Sequence, residues 1–104
     1  MSDYRADVEK YAKKPINEKA LAALEHTYRL VLSKADSRYV ACSDPEELAR
    51  VKENFLKKKL GLAEGDLDGA LKGVCEAMKA DRTKSRLTFY YLLAEHFDKL
   101  DALA

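Results

Sequence analysis

"LTFYYLLAEHF", Leu87–Phe97, is apolar on nearly every side of the helix it would form. A surface helix carries one apolar stripe, whereas a helix that is apolar all round has to be enclosed. The stretch therefore predicts a central helix over about Lys84 to Leu100. Either other helices surround it or a second copy of the chain covers part of its aromatic face. Phe89, Tyr90, Tyr91 and Phe97 lie at helical spacing amid Leu87, Leu92 and Leu93, so they read as core rather than as base-stacking groups.

The rest of the chain supplies the surrounding elements. Asp3–Lys13 places Tyr4, Val8 and Tyr11 at i, i+4 and i+7, and Pro15 ends that helix. Glu18–Lys34 follows, with Asn17 as N-cap and Leu21, Leu24, Tyr28, Val31 and Leu32 inward. "KADSRYVACS" has no sustained period and reads as a connector with room for one short turn of helix. In "DPEELARVKENFLKKKLG", Asp44 fits the N-cap, Pro45 the first helical position and Glu47 the third, which predicts a capping box. Leu48, Val51, Phe55 and Leu56 form its stripe, and Lys57–Lys59 suit its negative end. Gly61 suits the left-handed stop. After "GLAEGD", with Asp66 as N-cap, Leu67, Ala70, Leu71, Val74, Cys75 and Met78 repeat at three and four. The fold predicted is all-α: a compact bundle of about five helices, the last one central, as a single domain over residues 1–104.

Composition agrees. The 104 residues are 47% hydrophobic and 36% charged, with only four Gly and two Pro. Strand formers are sparse and helix formers abundant. The net formal charge of +1 gives no basic footprint of a duplex-binding domain. No apolar run approaches the roughly 18 residues that span a bilayer. "MSDYRADVEKYAKK" is charged from its third residue and has no apolar signal core. The expectation is a cytoplasmic protein with two free cysteines.

Each reactive group has a plain reading. Cys42 lies just outside a helix N-terminus, where a thiol can be activated. Asp44, Glu46 and Glu47 surround the same terminus and disfavour a thiolate, so Cys42 reads as a small packing residue. Cys75 reads as core. His26, Cys42, Cys75 and His96 stand at no recognised zinc spacing, and no metal or cofactor is expected. No nucleophile or phosphate-loop motif occurs, and no catalytic residue is singled out.

"KADRTKSR", Lys79–Arg86, is the anomaly. Lys84 and Arg86 stand at the start of the central helix, against its dipole. A helix start also offers free N–H groups to an anion, and Thr83 and Ser85 add hydroxyls. An anion site built from Arg82, Thr83, Lys84, Ser85 and Arg86, joined by Lys57, Lys58 and Lys59 if the fold brings them near, is one expectation. A solvated turn paired to neighbouring acids is the other.

"VACSDPEELARVKENFLKKKLGL" (Val40–Leu62), "VCEAMKADRTKSRLTFYYLLAEHF" (Val74–Phe97) and the opening "MSDYRADVEKYAKK" together resemble a family of short uncharacterised bacterial proteins, a domain of unknown function. The resemblance covers nearly the whole chain. It implies a small helical protein and assigns no activity, cofactor or site residue.

The leading functional reading is a protein-interaction or structural module with an unidentified protein partner, acidic in character. Tyr4, Tyr11 and Tyr39 are interface candidates, and a homo-oligomer is open. The alternative is a nucleic-acid or small-anion binder using residues 57–59 and 79–86. An enzyme with a site assembled from scattered residues ranks third.

Overall fold

The structure is a computed structural model that describes residues 4–12, 14–34, 39–62, 67–79 and 84–103. Among these are seven α-helices, one π-helical segment and a minimal two-stranded ladder. The helices are α1 (Tyr4–Tyr11), α2 (Glu18–Thr27), α3 (Arg29–Ser33), α4 (Pro45–Val51), α5 (Leu67–Ala77), α6 (Arg86–His96) and α7 (Leu100–Leu103). The π-helical segment, Lys52–Lys59, continues α4. The strands β1 (Tyr39–Val40) and β2 (Lys84–Ser85) pair antiparallel, Tyr39 opposite Ser85 and Val40 opposite Lys84. The all-α reading holds.

Helix α6 is the central element. All nine residues from Leu87 to Glu95 are buried, and α1, α2, α5 and α7 lie against it. The aromatic face is thus filled within one chain: Phe89 and Tyr91 are fully buried and Tyr90 nearly so. A helix buried on all sides must pair its polar groups with its neighbours. Thr88 Oγ1 donates to Asp7 Oδ2 of α1 at 2.5 Å. The Tyr91 hydroxyl accepts from the Asn17 N–H at 2.8 Å, and the Glu95 carboxylate accepts from the Lys14 N–H at 3.2 Å. Three polar side chains of one helix therefore fasten it to α1 and to the α1–α2 connection.

Several local expectations are corrected. The predicted second helix is interrupted at Tyr28, whose backbone sits at φ −108°, ψ 16°. Hydrogen bonding continues on either side: the Tyr28 N–H donates to Leu24 and the Leu32 N–H to Tyr28. The interrupting residue is the one whose ring meets Phe55 and Tyr90 edge-on. The connector holds β1, and the central helix begins two residues late, because Lys84 and Ser85 extend to pair with β1. The Asp66 cap lies outside the described residues.

The predicted third helix changes geometry halfway. Val51, Phe55, Leu56 and Leu60 are all buried. In an α-helix, positions nine apart are separated by about two and a half turns and face opposite ways. In a helix closed by i→i+5 bonds they are separated by roughly two turns. Burying Val51 and Leu60 against one core therefore favours the wider winding. The Leu60 N–H donates to the Phe55 carbonyl and the Leu62 N–H to that of Leu56, both at 2.9 Å. Gly61 stands between them at φ +72°, the left-handed stop its sequence position predicts.

The cysteines are the largest correction. Cys42 and Cys75 form a disulfide with their Cα atoms 6.0 Å apart, and no free cysteine remains. They stand 33 residues apart. No linear spacing signals the bond; it exists because α5 crosses beside the turn that precedes α4.

Candidate functional site

Asp44 caps α4 as expected, its Oδ1 accepting the Glu46 N–H at 3.0 Å. The capping box does not form. The Asp44 N–H donates to the Ala41 carbonyl at 3.0 Å, which leaves Glu47 released from that local role. Its carboxylate turns inward and is buried. Oε1 accepts a close, charge-assisted hydrogen bond from Arg86 Nη2, and Oε2 accepts from Arg50 Nη2 at 3.1 Å.

Arg86 is the first residue of α6, where the helix dipole opposes a cation. Its guanidinium turns away from solvent. Nη1 donates to the Tyr90 hydroxyl at 3.0 Å and Nη2 also to the Tyr39 carbonyl at 3.3 Å. Burial alone would weaken its charge. The hydroxyl of Tyr90, then the carboxylate of Glu47, outweigh burial and raise its pKa above the ordinary arginine value. One guanidinium thereby joins α4, β1 and α6.

Aromatic rings back this network. Phe55 and Tyr90 stack at 4.1 Å, and Tyr28 meets Tyr90 edge-on at 5.0 Å. Burial, reinforced by Tyr90 and only partly offset by Arg86, pushes the Tyr28 phenol up to about 12. Burial also raises Tyr90. The polar and aromatic groups face a cleft of about 580 Å³ between α3, β1 and α4. That volume falls in the range of ligand pockets, and convergent polar groups on an apolar wall are the usual mark of one. Its rim carries Val31, Tyr39, Ala41, Arg50 and Asn54.

The residues singled out in the sequence are differently placed. Lys57, Lys58 and Lys59 are exposed on the π-helical segment, Lys57 pairs with Glu53 at 3.0 Å, and none of the three lines this cleft. Arg82 and Thr83 lie outside the described residues. Lys84 is described in its backbone alone, as part of β2. The Ser85 hydroxyl is buried and finds no partner among the described residues, so it does not cap α6. Arg86 does reach a site, but one whose charge Glu47 already balances. Glu47, Tyr28 and Arg50 went unread as site residues. Glu47 had a sufficient local explanation, and its partner is 39 residues away.

A second cavity, of about 370 Å³, lies between α1, α5 and α6. Gly73 and Ala77 form part of one wall, and Tyr11, Glu95 and His96 face it. Among the described residues no group of three His, Cys, Asp or Glu side chains is placed to hold a metal ion, and no helix is long and apolar enough to cross a membrane.

No curated protein matches the chain. A family model described as a protein of unknown function, DUF2853, matches residues 3–101, nearly the whole chain. That agrees with the resemblance read from Val40–Leu62 and Val74–Phe97. A bundle closed around a buried α6, with a cleft braced by Glu47 and Arg86, is thus the architecture of a chain that belongs to the DUF2853 family.

Proposed function

We propose that the protein is an interaction module that docks a segment of a partner protein in the cleft between α3, β1 and α4. The observation that carries this is the position of its exposed apolar side chains. Among the described residues, the large apolar side chains left exposed are Leu30 at 71% and Tyr39 at 40%. Tyr39 lines the cleft, and Leu30 lies on α3, the helix that contributes Val31 to the lining. An exposed aromatic ring at the mouth of an apolar-walled cleft supports a contact site there.

Charge narrows the segment. The Arg50 side chain is 58% exposed at the rim. Asp44, the other acid of the lining, is engaged in capping α4. A large apolar or aromatic side chain followed by a carboxylate matches this arrangement, in keeping with an acidic partner. The alternative anion reading would have to draw Arg86 away from Glu47, so the docking reading is preferred.

Selection from a random displayed peptide library tests the proposal. Wild-type protein should enrich peptides with a large apolar residue near an acid, and Leu30→Glu with Tyr39→Ala should abolish the enrichment. No enrichment above blank resin, or enrichment untouched by those substitutions, would refute it. Self-association seen by light scattering and removed by the same substitutions would assign the surface to a second copy of the chain instead.

A further inference from the structure

We infer that the Cys42–Cys75 disulfide is a redox latch on the cleft, holding its α4 wall in place until a dithiol opens it. The inference rests on the docking reading for its consequence but not for its test. Cys42 sits in the turn between β1 and α4, and the lining residues Ala41 and Asp44 bracket it. Asp44 in turn caps the helix that carries Glu47 and Arg50. The other sulfur belongs to α5, which contributes nothing to the lining of this cleft. The bond therefore ties one edge of the cleft to a separate, core-packed helix. Both cysteines are partly buried and pack against the core, and reduction requires that a thiolate reach one of the two sulfurs.

The exchange balances. A thiolate of a dithiol attacks one sulfur, the S–S bond breaks, and the released cysteine thiolate takes a proton. The second thiol of the reductant then attacks the mixed disulfide and closes its own disulfide. The second cysteine leaves as a thiolate and is protonated. Two electrons and two protons pass to the protein, and the dithiol is oxidised. What remains to hold the turn is its own closing hydrogen bond from the Asp44 N–H to the Ala41 carbonyl, the two-residue pairing of β1 with β2, the Asp44 cap and the Arg86–Glu47 contact. Cys42 itself is then held only by that single turn bond and by its packing against the core. When a binding-competent wall is populated only part of the time, apparent affinity falls by that fraction.

The test compares backbone order parameters by NMR in the oxidised chain, in the chain reduced with dithiothreitol, and in Cys42→Ser/Cys75→Ser without reductant. Order at residues 41–44 should fall from about 0.85 to below about 0.6 in both reduced forms, while α1, α2 and α6 keep their values. Unchanged order at 41–44 would overturn the latch. So would collapse of the whole spectrum, which would make the bond a fold staple, or mass-spectrometric detection of two free thiols in protein isolated without reductant. A peptide from the library selection, where one is obtained, should bind the reduced chain about tenfold more weakly if the wall is then competent a tenth of the time. The order-parameter measurement needs no ligand, so a failed selection sinks the docking reading alone, and a failed order change sinks the latch alone.

Discussion

Arg86 and Glu47, from the first turns of two different helices, meet in a contact whose side chains are only 12% and 11% exposed. The local position of each residue gives no sign of the other. Glu47 stands where a capping acid would stand, and Arg86 stands where a helix tolerates a cation poorly. Each is stabilised by the other, and the cleft is built around the pair.

Removal of one partner should cost far more than removal of both. A lone charge left in a buried site typically costs about 3–5 kcal/mol, whereas an apolar pair of similar volume is often nearly neutral. Glu47→Leu should therefore lower the stability measured by urea unfolding by about that amount. Arg86→Met should cost less, because Glu47 keeps Arg50 at 3.1 Å. Glu47→Leu/Arg86→Met should recover most of the loss. A double variant as unstable as the sum of the singles would show that the pair is not coupled.

Three buried tyrosines should titrate late. Burial raises Tyr28, Tyr90 and Tyr91, three of the six, with Tyr28 near 12. Since the folded pKa exceeds the unfolded one, the folded chain holds these protons over a pH range in which the unfolded chain has lost them. Stability is thus fully present below about pH 10 and declines as pH rises toward 12. An ultraviolet phenolate titration should show a late phase that shrinks in Tyr28→Phe. A single phase at the ordinary tyrosine value would contradict the burial of these rings.

Reduction should lower stability without unfolding the chain. A link across 33 residues removes chain entropy from the unfolded state worth about 4 kcal/mol. A domain of this size commonly has about 5–15 kcal/mol in total. The urea midpoint should fall on adding dithiothreitol and fall equally in Cys42→Ser/Cys75→Ser, which should then no longer respond to the reductant.

The same substitution should act with opposite sign at two glycines. Gly61 lies at φ +72° with open space around it. Gly61→Ala therefore meets only the left-handed backbone penalty, about 1–2 kcal/mol. Gly73, within α5, also has open space where an alanine methyl would stand, and its φ is an ordinary helical one. Gly73→Ala should stabilise by about 0.5–1 kcal/mol. Thermal melts of the two variants should move in opposite directions.

The sequence by itself determined the helical class, the central position of the helix that carries Leu87–Glu95, the Asp44 and Asn17 caps and the Gly61 stop. These follow from hydrophobic periodicity and backbone chemistry within a few residues of chain, and the structure retains all of them. Periodicity also located Val51, Phe55 and Leu56 in the core, but not the change of winding that lets Leu60 join them. That change depends on which face the rest of the bundle offers. Only the tertiary structure decided the Cys42–Cys75 bond, the turning of Glu47 toward Arg86, and the break at Tyr28 beside Phe55 and Tyr90. Each is a contact between residues far apart in the chain. Local propensity is silent on such contacts, because their energy arises only after the helices have packed.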